Sequence, residues 1–489
     1  MRRTKIVATL GPATDSYEKV TALIDAGMDV ARLNFSHGDH EMHRRWFGWV
    51  RQAADELGRN VAVLQDIQGP KLRVGTFPGG AVELRAGSTV TLTTDDSEGS
   101  PDLIPVDYPY LTEDVEEGDT ILLADGLIVL ETTAVGPFGV TAVVRVGGIL
   151  SDHKGLACPD TQLRAPSVTA KDQEDLELGR ELGVDYVAAS FVRTGEDVRQ
   201  VRSLSADAAV IAKVELAIAY QNLDEILTEA DGIMVARGDL GVQLPLERIP
   251  IIQADMLART NAAGRISITA TEMLESMTHA PRPTRAEVTD VATAVFGGTD
   301  AVMLSGETAV GMYPNKTVEM MARICVESET SPMAREQPVP FVGAVNRVAS
   351  AVAQAATEAA ANLGIGTIVA FTESGSTARL ISKYRPAASV VAFSPSAATR
   401  RRMALYWGVT AYPFQRRDYT DHEIAAAEKF LEREKLCHRG DLVVMVAGIP
   451  PNQRSATNLM KIHLVGERVG GVLSQRSGRQ SPEVGGLGV

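Results

Sequence analysis

The chain has 489 residues, 45% of them hydrophobic and 22% charged, and a formal net charge of −14. Its length predicts two or more domains, and its acidic balance argues against a nucleic-acid partner because it repels phosphate backbones. No apolar run reaches about 18 residues and no cleavable leader opens the chain, so we expect no membrane association and a cytoplasmic location. The three widely spaced cysteines, Cys158, Cys325 and Cys437, predict neither disulfides nor a metal site.

Eight short apolar runs recur along the chain, and a helical stretch follows each of them. Several of these helices end in glycine. Eight strand–helix units, with strands apolar enough for burial on both faces, predict a parallel (β/α)8 barrel rather than an open sheet. The runs are "KIVATL" from Lys5, "DVARLN" from Asp29, "VAVLQD" from Val61, "DYVAAS" from Asp185, "AVIAKVE" from Ala209, "DGIMVARGD" from Asp231, "RISITAT" from Arg265 and "DAVMLS" from Asp300.

Two other regions accompany the barrel, which is predicted over 1–70 and 166–337. Residues 71–165 contain alternating segments such as "STVTLTT" and "GVTAVVRV", which predict an inserted all-β lid domain. Over 338–470 a long helical stretch precedes "TIVAFT", "SVVAFSP" and "DLVVMVAG", and these predict a C-terminal α/β domain. The Gly/Ser-rich residues 471–489 predict a flexible tail. The predicted fold class is therefore α/β, a TIM barrel with an inserted lid and a C-terminal domain.

Two charges end the apolar run "AVIAKVELA", at Lys213 and Glu215. Side chains alternate along a strand, so both residues share a face with Ile211. In a barrel that face is the interior, and the carboxyl end of each strand opens onto the catalytic mouth. The alternative is a buried ion pair that only closes the top of the barrel.

The next strand ends in "VARGDLG", which presents Asp239 at the same rim. Two hard oxygen ligands with open positions suit Mg²⁺, which completes its shell with water and substrate phosphate. Gly238 and Gly241 would free nearby backbone N–H groups to form an anion cradle, although the loop could equally be a simple turn.

The remaining strand ends add further polar residues to the predicted mouth. A lysine, two arginines and a magnesium site in one pocket describe a phosphoryl-transfer centre. Neither a GxxxxGK[ST] loop nor a GxGxxG fingerprint is present, so a nucleotide would have to bind in another way. The added residues are Thr271 in "ATEMLESM", Ser305 and Glu307 in "LSGET", Arg32 in "ARLNFSHG" and Arg73 in "QGPKLR".

Six motifs in register closely resemble those of pyruvate kinases: "ARLNFSHG", "QGPKLR", "AKVE", "MVARGDLGV", "ATEMLESM" and "DAVMLSGETA". The match extends over nearly the whole chain. The resemblance implies an interrupted barrel, a β lid and a C-terminal effector domain, assembled as a homotetramer. It also implies a glycolytic activity, the transfer of a phosphoryl group from phosphoenolpyruvate to ADP to give pyruvate and ATP.

The same resemblance implies roles for single residues. Glu215 and Asp239 would hold Mg²⁺, and Lys213 would neutralise the phosphoryl group in flight. The substrate carboxylate would lie against Gly238, Asp239 and Thr271, and Thr271 would take part in protonating the enolate. Catalytic phosphate contacts would come from Arg32 and Arg73. The nucleotide side would contain Pro12, Arg32, Asn34, His37, Arg73 and Lys171.

This chain departs from many relatives in a monovalent-ion pocket. Those relatives bind K⁺ through residues matching Asn34, Ser36 and Asp66, and carry threonine, lysine and glutamate where this chain has Ile67, Gln68 and Lys71. We expect the ammonium of Lys71 to replace the ion, so that K⁺ is not required. The alternative is that Lys71 only solvates the hinge.

A second departure concerns the effector. The turn in "TESGSTARL" could hold a phosphate on its N–H groups, and the resemblance places the family's effector there. Glu373 stands where relatives that bind fructose bisphosphate carry lysine, and the facing segment "PPNQRSATN" lacks their glycines. We expect an effector with one phosphate, such as AMP or a sugar monophosphate, or none. The predicted effector residues are Thr372, Ser374, Gly375, Ser376 and Thr377.

Other interpretations compete with a working kinase. One is a different Mg²⁺-dependent barrel enzyme acting on phosphoenolpyruvate or an enolate without a nucleotide, and another is a catalytically silent metabolite-binding paralogue. The histidines of "HGDHEMH" are expected not to hold a metal. The tract "TRRRMALYW" around Arg401 is expected to be a solvated helix face with packed Met and Leu rather than an anion site.

Overall fold

A computed structural model describes residues 2–159, 161, 164, 166–334, 346–415, 420–449 and 457–467. The predicted tail and most of the "PPNQRSATN" segment lie outside these residues. Among them, no helix is long and apolar enough to cross a bilayer.

The first part of the barrel alternates strands with helices, as the apolar runs predict. Helix α1 ends where Gly27 adopts a φ of 123°, a conformation that glycine tolerates and that turns the chain into the next strand. The elements are β1 (Lys5–Thr9), α1 (Tyr17–Ala26), β2 (Val30–Asn34), α2 (His40–Glu56) and β3 (Ala62–Asp66).

Among its described residues, the inserted lid has two β-sheets, a short α-helix and a short 3-10 helix. A two-stranded sheet pairs β10 with β4, and a six-stranded sheet has the order β11-β7-β8-β9-β5-β6. The elements are β4 (Ala81–Leu84), β5 (Thr89–Thr93), β6 (Leu103–Pro105), α3 (Leu111–Asp114), β7 (Thr120–Leu123), β8 (Ile128–Gly136), β9 (Gly139–Val146), β10 (Gly148–Ser151) and β11 (Leu156–Ala157).

The second part of the barrel supplies five more strands. Helix α4 opens with a capping box in which Thr169 and Asp172 each accept the other's backbone N–H. The elements are α4 (Ala170–Leu182), β12 (Tyr186–Ala189), α5 (Gly195–Leu204), β13 (Ala209–Val214), α6 (Ala217–Gln221), α7 (Leu223–Glu229), β14 (Gly232–Ala236), α8 (Arg237–Gln243), α9 (Ile249–Ala262), β15 (Ile266–Ala270), α10 (Arg285–Phe296), β16 (Ala301–Leu304), α11 (Gly306–Ala309) and α12 (Pro314–Thr330).

The eight barrel strands close in the order β1-β16-β15-β14-β13-β12-β3-β2, with parallel pairing throughout. On β13, Ile211 packs inside the barrel, whereas Val210, Ala212 and Val214 pack against the surrounding helices. The predicted (β/α)8 barrel is therefore confirmed, and strand alternation places Lys213 on the interior side.

The C-terminal domain has a five-stranded sheet in the order β19-β18-β17-β20-β21, in which β21 runs antiparallel to its neighbour. This agrees with the predicted α/β class. The elements are α13 (Arg347–Asn362), β17 (Thr367–Phe371), α14 (Ser376–Lys383), β18 (Ser389–Ser394), α15 (Ala397–Arg402), β19 (Val409–Pro413), α16 (Thr420–Arg433), β20 (Leu442–Ala447) and β21 (Leu459–Leu464).

Ion pairs to buried carboxylates link this domain to the amino-terminal end of the barrel. The guanidinium of Arg401 lies 2.9 Å from Asp185, a carboxylate that also accepts the N–H of Val63. A second pair joins Lys383 at the end of α14 to the buried Asp300. The expectation of a solvated face is wrong at Arg401, because its charge is matched by Asp185, which directly precedes β12. The expected packing of Met403 and Leu405 in the same tract is confirmed, since both are buried.

Candidate active site

Four adjacent strands, β2, β3, β12 and β13, bring polar side chains together at the barrel mouth. The ammonium of Lys213 lies 2.8 Å from Glu215 and 3.2 Å from Asp66, and it donates to the hydroxyl of Ser190 at 2.7 Å. Arg32 donates from Nε to Asp66 at 2.7 Å. We call these five residues the Lys213 cluster.

The charged side chains of the cluster are buried, and their pKa values are set by burial together with the charges of their partners. Burial by itself lowers the pKa of Lys213, but the carboxylates of Asp66 and Glu215 outweigh it and raise that pKa above its ordinary value. The pKa of Asp66 is lowered, because Lys213 and Arg32 overcome the opposing effect of burial. Lys213 therefore stays an ammonium at neutral pH, so it can stabilise negative charge but cannot act as a base.

Glu215 differs from Asp66, the other carboxylate of the cluster, because its pKa is raised. Burial raises its pKa, and the negative charge of Asp239 adds to that rise against the opposing effect of Lys213. One carboxylate oxygen accepts the backbone N–H of Phe191 at 2.6 Å. Phe191 has a φ of 53°, a conformation that bulky residues rarely adopt. This strained residue aims its N–H at Glu215.

Asp239 lies on α8, at the edge of a cavity of about 100 Å³ between the barrel and the lid. Glu215 lines the same cavity, as do Lys71 and Arg193. The side chain of Asp239 is 37% exposed, and the ammonium of Lys71 lies 3.7 Å from it. The cavity thus joins a buried and a partly exposed carboxylate.

This pair of carboxylates fits a divalent cation. Their mutual repulsion, which contributes to the raised pKa of Glu215, is what a hard cation with oxygen ligands would relieve. Over the described ranges, no group of three or more His, Cys, Asp or Glu side chains is arranged to hold a metal. A Mg²⁺ ion here would take two protein carboxylates and complete its shell from water and substrate.

The loop predicted as an anion cradle is helical. Residues Arg237–Gln243 form α8 directly after β14, and the N–H of Gly238 donates to the hydroxyl of Thr271 at 2.9 Å. Thr271 follows β15 and has a φ of 66°. The structure therefore places Gly238 next to Thr271, as the resemblance implies. The two residues are hydrogen-bonded to each other.

Two predicted residues make other contacts. Glu307 is fully buried and accepts backbone N–H groups from Leu274 and Ser305, so it ties together the loops that follow β15 and β16. The guanidinium of Arg73 donates to the carbonyl of His153 within the lid. Among the described contacts, none joins Arg73 to the Lys213 cluster.

The other predicted nucleotide-side residues follow β1, end or follow β2, or lie on α4. The ammonium of Lys171 donates to the carbonyl of Phe35 at 2.7 Å and pairs with Asp175. Asn34 ends β2, and its side chain accepts the N–H of Ser36. The carbonyl of His37 lies 3.0 Å from the ring of His43. Pro12 begins a short 3-10 helix after β1.

The predicted effector residues form a turn between β17 and α14. Thr372 accepts the N–H of Gly375, which has a φ of 87°, and Ser374 donates to Ser376. The hydroxyl of Thr377 lies 2.7 Å from that of Thr457, in the part of the facing segment that the structure describes.

Sequence reasoning missed several residues of the site. Ser190 ends the quoted run "DYVAAS", and its position after a strand was the available signal. Arg237 lies within "VARGDLG" and has no local signal that predicts a role, although it donates to the carbonyls of Ala270 and Thr271 and to Asp290. The N–H of Phe191 carries no signal in the sequence, because backbone conformation alone directs it.

This architecture defines the chain as a lidded (β/α)8-barrel enzyme with a charged centre at the carboxyl ends of its strands. Two family models match it, "Pyruvate kinase, barrel domain" over residues 1–318 and "Pyruvate kinase, alpha/beta domain" over residues 350–463. Together they span most of the chain.

Individual relatives agree with these models. A pyruvate kinase from Geobacillus stearothermophilus is 44% identical over 474 residues, which cover 95% of this chain and 81% of the relative. One from Bacillus licheniformis is 44% identical over 495 residues, covering 98% and 83% respectively. A crystal structure of a pyruvate kinase from Cryptosporidium parvum matches with a TM-score of 0.87 and 36% identity, over 95% of this chain and 96% of the other.

The chain belongs to the pyruvate kinase family. It is accordingly a phosphotransferase that acts on phosphoenolpyruvate and ADP. The family is Mg²⁺-dependent. The family indicated by the six motifs is confirmed. The prediction of a pyruvate kinase is confirmed with it, and neither alternative is supported, whether another barrel enzyme or a silent paralogue.

Proposed function

We propose that the Lys213 cluster is the centre at which this chain moves the phosphoryl group of phosphoenolpyruvate to ADP, giving pyruvate and ATP. The observation that carries this proposal is the ammonium of Lys213, held between Asp66 and Glu215 at the mouth of the barrel. A permanently charged, immobilised ammonium stabilises charge that moves in a transition state without the cost of reorienting solvent.

The neighbouring residues complete this role. Arg32, oriented by Asp66 and by the hydroxyl of Thr9, directs a second positive charge to the phosphate. Glu215 and Asp239 would hold Mg²⁺, which supplies further positive charge to substrate oxygens when it is bound. After the enol oxygen loses its phosphoryl group, an enolate remains, and protonation of its methylene carbon gives pyruvate. Thr271 lies beside Gly238 on the side where we place the substrate carboxylate.

An assay coupled to lactate dehydrogenase tests this function. Pyruvate formation from phosphoenolpyruvate should require both ADP and Mg²⁺. A lyase or phosphatase would release pyruvate without ADP, and a silent paralogue would release none.

Replacing Asp239 by alanine should raise the Mg²⁺ concentration needed for half-maximal activity by roughly tenfold or more, because one of two protein carboxylates is lost. Direct Mn²⁺ binding, followed by electron paramagnetic resonance, should weaken in parallel. Asp255→Ala is the matched control, since Asp255 is similarly exposed, at 43%, but lies on α9 beside Arg259. An unchanged metal titration in Asp239→Ala would remove Asp239 from the metal site.

For regulation, we propose a phosphorylated effector with a single phosphate at the turn of Ser374 to Thr377. The hydroxyls and the N–H groups at the start of α14 suit one phosphate, while the carboxylate of Glu373 disfavours a second. AMP or a sugar monophosphate should lower the half-saturating phosphoenolpyruvate concentration more than fructose 1,6-bisphosphate does. Strong activation by micromolar fructose 1,6-bisphosphate would contradict this.

We also propose the homotetramer that the resemblance implies and the domain boundaries that the sequence patterns predict. Large apolar side chains exposed on the barrel support an association, as at Leu246 and Ile251, which are 72% and 71% exposed. The C-terminal sheet ends in the edge strand β21, on which Ile462 is 40% exposed. A cytoplasmic location stays a prediction.

A further inference from the structure

The guanidinium of Arg237 lies at the start of α8 and is almost completely engaged. Its Nη1 donates to both carboxylate oxygens of Asp290 on α10, at 2.6 Å each. Its Nε donates to the carbonyl of Ala270 at 3.1 Å, and its Nη2 donates to the carbonyl of Thr271. The side chain is only 13% exposed. The N–H donors of Arg237 therefore bind protein groups, although Arg237 is only two residues from Asp239, the proposed metal ligand.

Arg237 binds the carbonyl of Ala270, the last residue of β15, and that of Thr271, the first residue of a strained turn. Thr271 and Glu272 follow β15 with φ values of 66° and 53°. Two successive residues with side chains in this region are uncommon, and a β-branched threonine there is an outlier. Such conformations persist where surrounding contacts fix them, and they cluster at functional sites. Arg237 supplies those contacts at the turn.

The same part of the chain also fixes the side chain of Thr271. Its hydroxyl donates to the carbonyl of Ala270 at 2.7 Å and accepts the N–H of Gly238, the residue after Arg237, at 2.9 Å. Arg237 thus binds the carbonyls of Ala270 and Thr271, which lie on the two sides of the α-carbon of Thr271. Gly238, the next residue, donates its N–H to the hydroxyl of Thr271. Asp290 orients Arg237 by accepting from Nη1 with both carboxylate oxygens, and it balances the charge of the arginine.

We propose that Arg237, held by Asp290, is a positioning residue that fixes the hydroxyl of Thr271 at the substrate end of the site, and that it is not a phosphate ligand. This inference rests on the proposed function, in which Thr271 acts beside the substrate. It gives a role to an arginine of the "VARGDLG" motif whose charge is already matched within the protein.

The test is a double-mutant cycle between Asp290→Asn and Thr271→Ala, with Arg237→Gln as a further single variant. Asp290→Asn and Arg237→Gln should each lower kcat by roughly 10- to 100-fold, with KM for phosphoenolpyruvate changed by less than about threefold. In the Thr271→Ala background, Asp290→Asn should change kcat by less than about twofold, because both act through one hydroxyl.

Arg237→Lys keeps a positive charge opposite Asp290, so it guards against loss of the fold in the glutamine variant. It should still lower kcat, because an ammonium cannot reproduce the planar fork. Arg259→Gln is the matched control, since Arg259 is likewise an ion-paired arginine, but its partners Asp224 and Asp255 lie on the outer helices. Its kcat should equal that of the wild type.

Two results would overturn the positioning role in an active wild-type enzyme. One is a full effect of Asp290→Asn that persists in the Thr271→Ala background. The other is a rise in KM with unchanged kcat in Arg237→Lys or Arg237→Gln, which would identify a direct substrate ligand. Absence of ADP-dependent turnover in the wild type would instead refute the proposed function itself.

Discussion

Replacing Lys213 by methionine is expected to lower kcat by roughly 10³-fold or more, because the ammonium stabilises charge that moves only in the transition state. Binding of phosphoenolpyruvate should be largely retained, since Arg32 and the backbone around Gly238 are unchanged. The measurements are turnover in the coupled assay and substrate binding by calorimetry.

The same substitution has a cost in stability. It leaves Asp66 with Arg32 as its charged partner and removes the ammonium that opposes protonation of Glu215, whose pKa burial and Asp239 already raise. We therefore expect Glu215 to take up a proton and the melting temperature to fall by a few degrees. Lys316→Met, on the outer helix α12, is the control. Turnover close to wild type in Lys213→Met would refute the role of the cluster.

The second large effect concerns Lys71 and potassium. Turnover of the wild type in tetramethylammonium buffer should lie within about twofold of turnover in K⁺ buffer, because cations of the protein already neutralise the mouth. Lys71→Glu should lose roughly tenfold or more without K⁺ and recover when K⁺ is added, since the reversed charge creates a site that favours a monovalent cation.

The structure pairs Lys71 with a different residue from those of the ion pocket that the sequence indicated. Among the described contacts, the ion pair of Lys71 is with Asp239, and none joins it to Asn34, Ser36 or Asp66. Asp66 already pairs with Arg32 and Lys213, so these two cations compensate its negative charge and weaken its attraction for a K⁺ ion.

A matched charge reversal elsewhere in the lid provides the control. Lys154→Glu should leave turnover independent of K⁺, because Lys154 is exposed and has no part in the cavity beside Asp239. A wild-type enzyme that loses most of its activity when K⁺ is withdrawn would show that Lys71 does not replace the ion.

Periodicity in the sequence was sufficient to predict the barrel, because each strand is an apolar run with a helix after it, which in the case of β3 comes after the inserted lid. Alternation along β13 likewise placed Lys213 and Glu215 on the interior face. Local pattern could not reveal partners that are distant in the chain. Asp290 is 53 residues from Arg237, and Asp185 is 216 residues from Arg401, so neither ion pair has a signature within one segment.

Backbone conformation was the other limit. The positive φ values of Phe191 and Thr271 oppose the preferences of their side chains, so propensity predicts ordinary conformations at both positions. Tertiary contacts impose the observed ones, through the carboxylate of Glu215 and the guanidinium of Arg237. The sequence could therefore identify the cluster's charges but not the backbone groups that orient them.

Phosphorus NMR of the purified chain with phosphoenolpyruvate, ADP and Mg²⁺ follows the transferred phosphoryl group itself. We predict that the phosphoenolpyruvate resonance declines while the γ-phosphate resonance of ATP grows by the same amount, and that neither change occurs in Lys213→Met. Growth of inorganic phosphate in place of ATP, or equal transfer by Lys213→Met, would contradict the account.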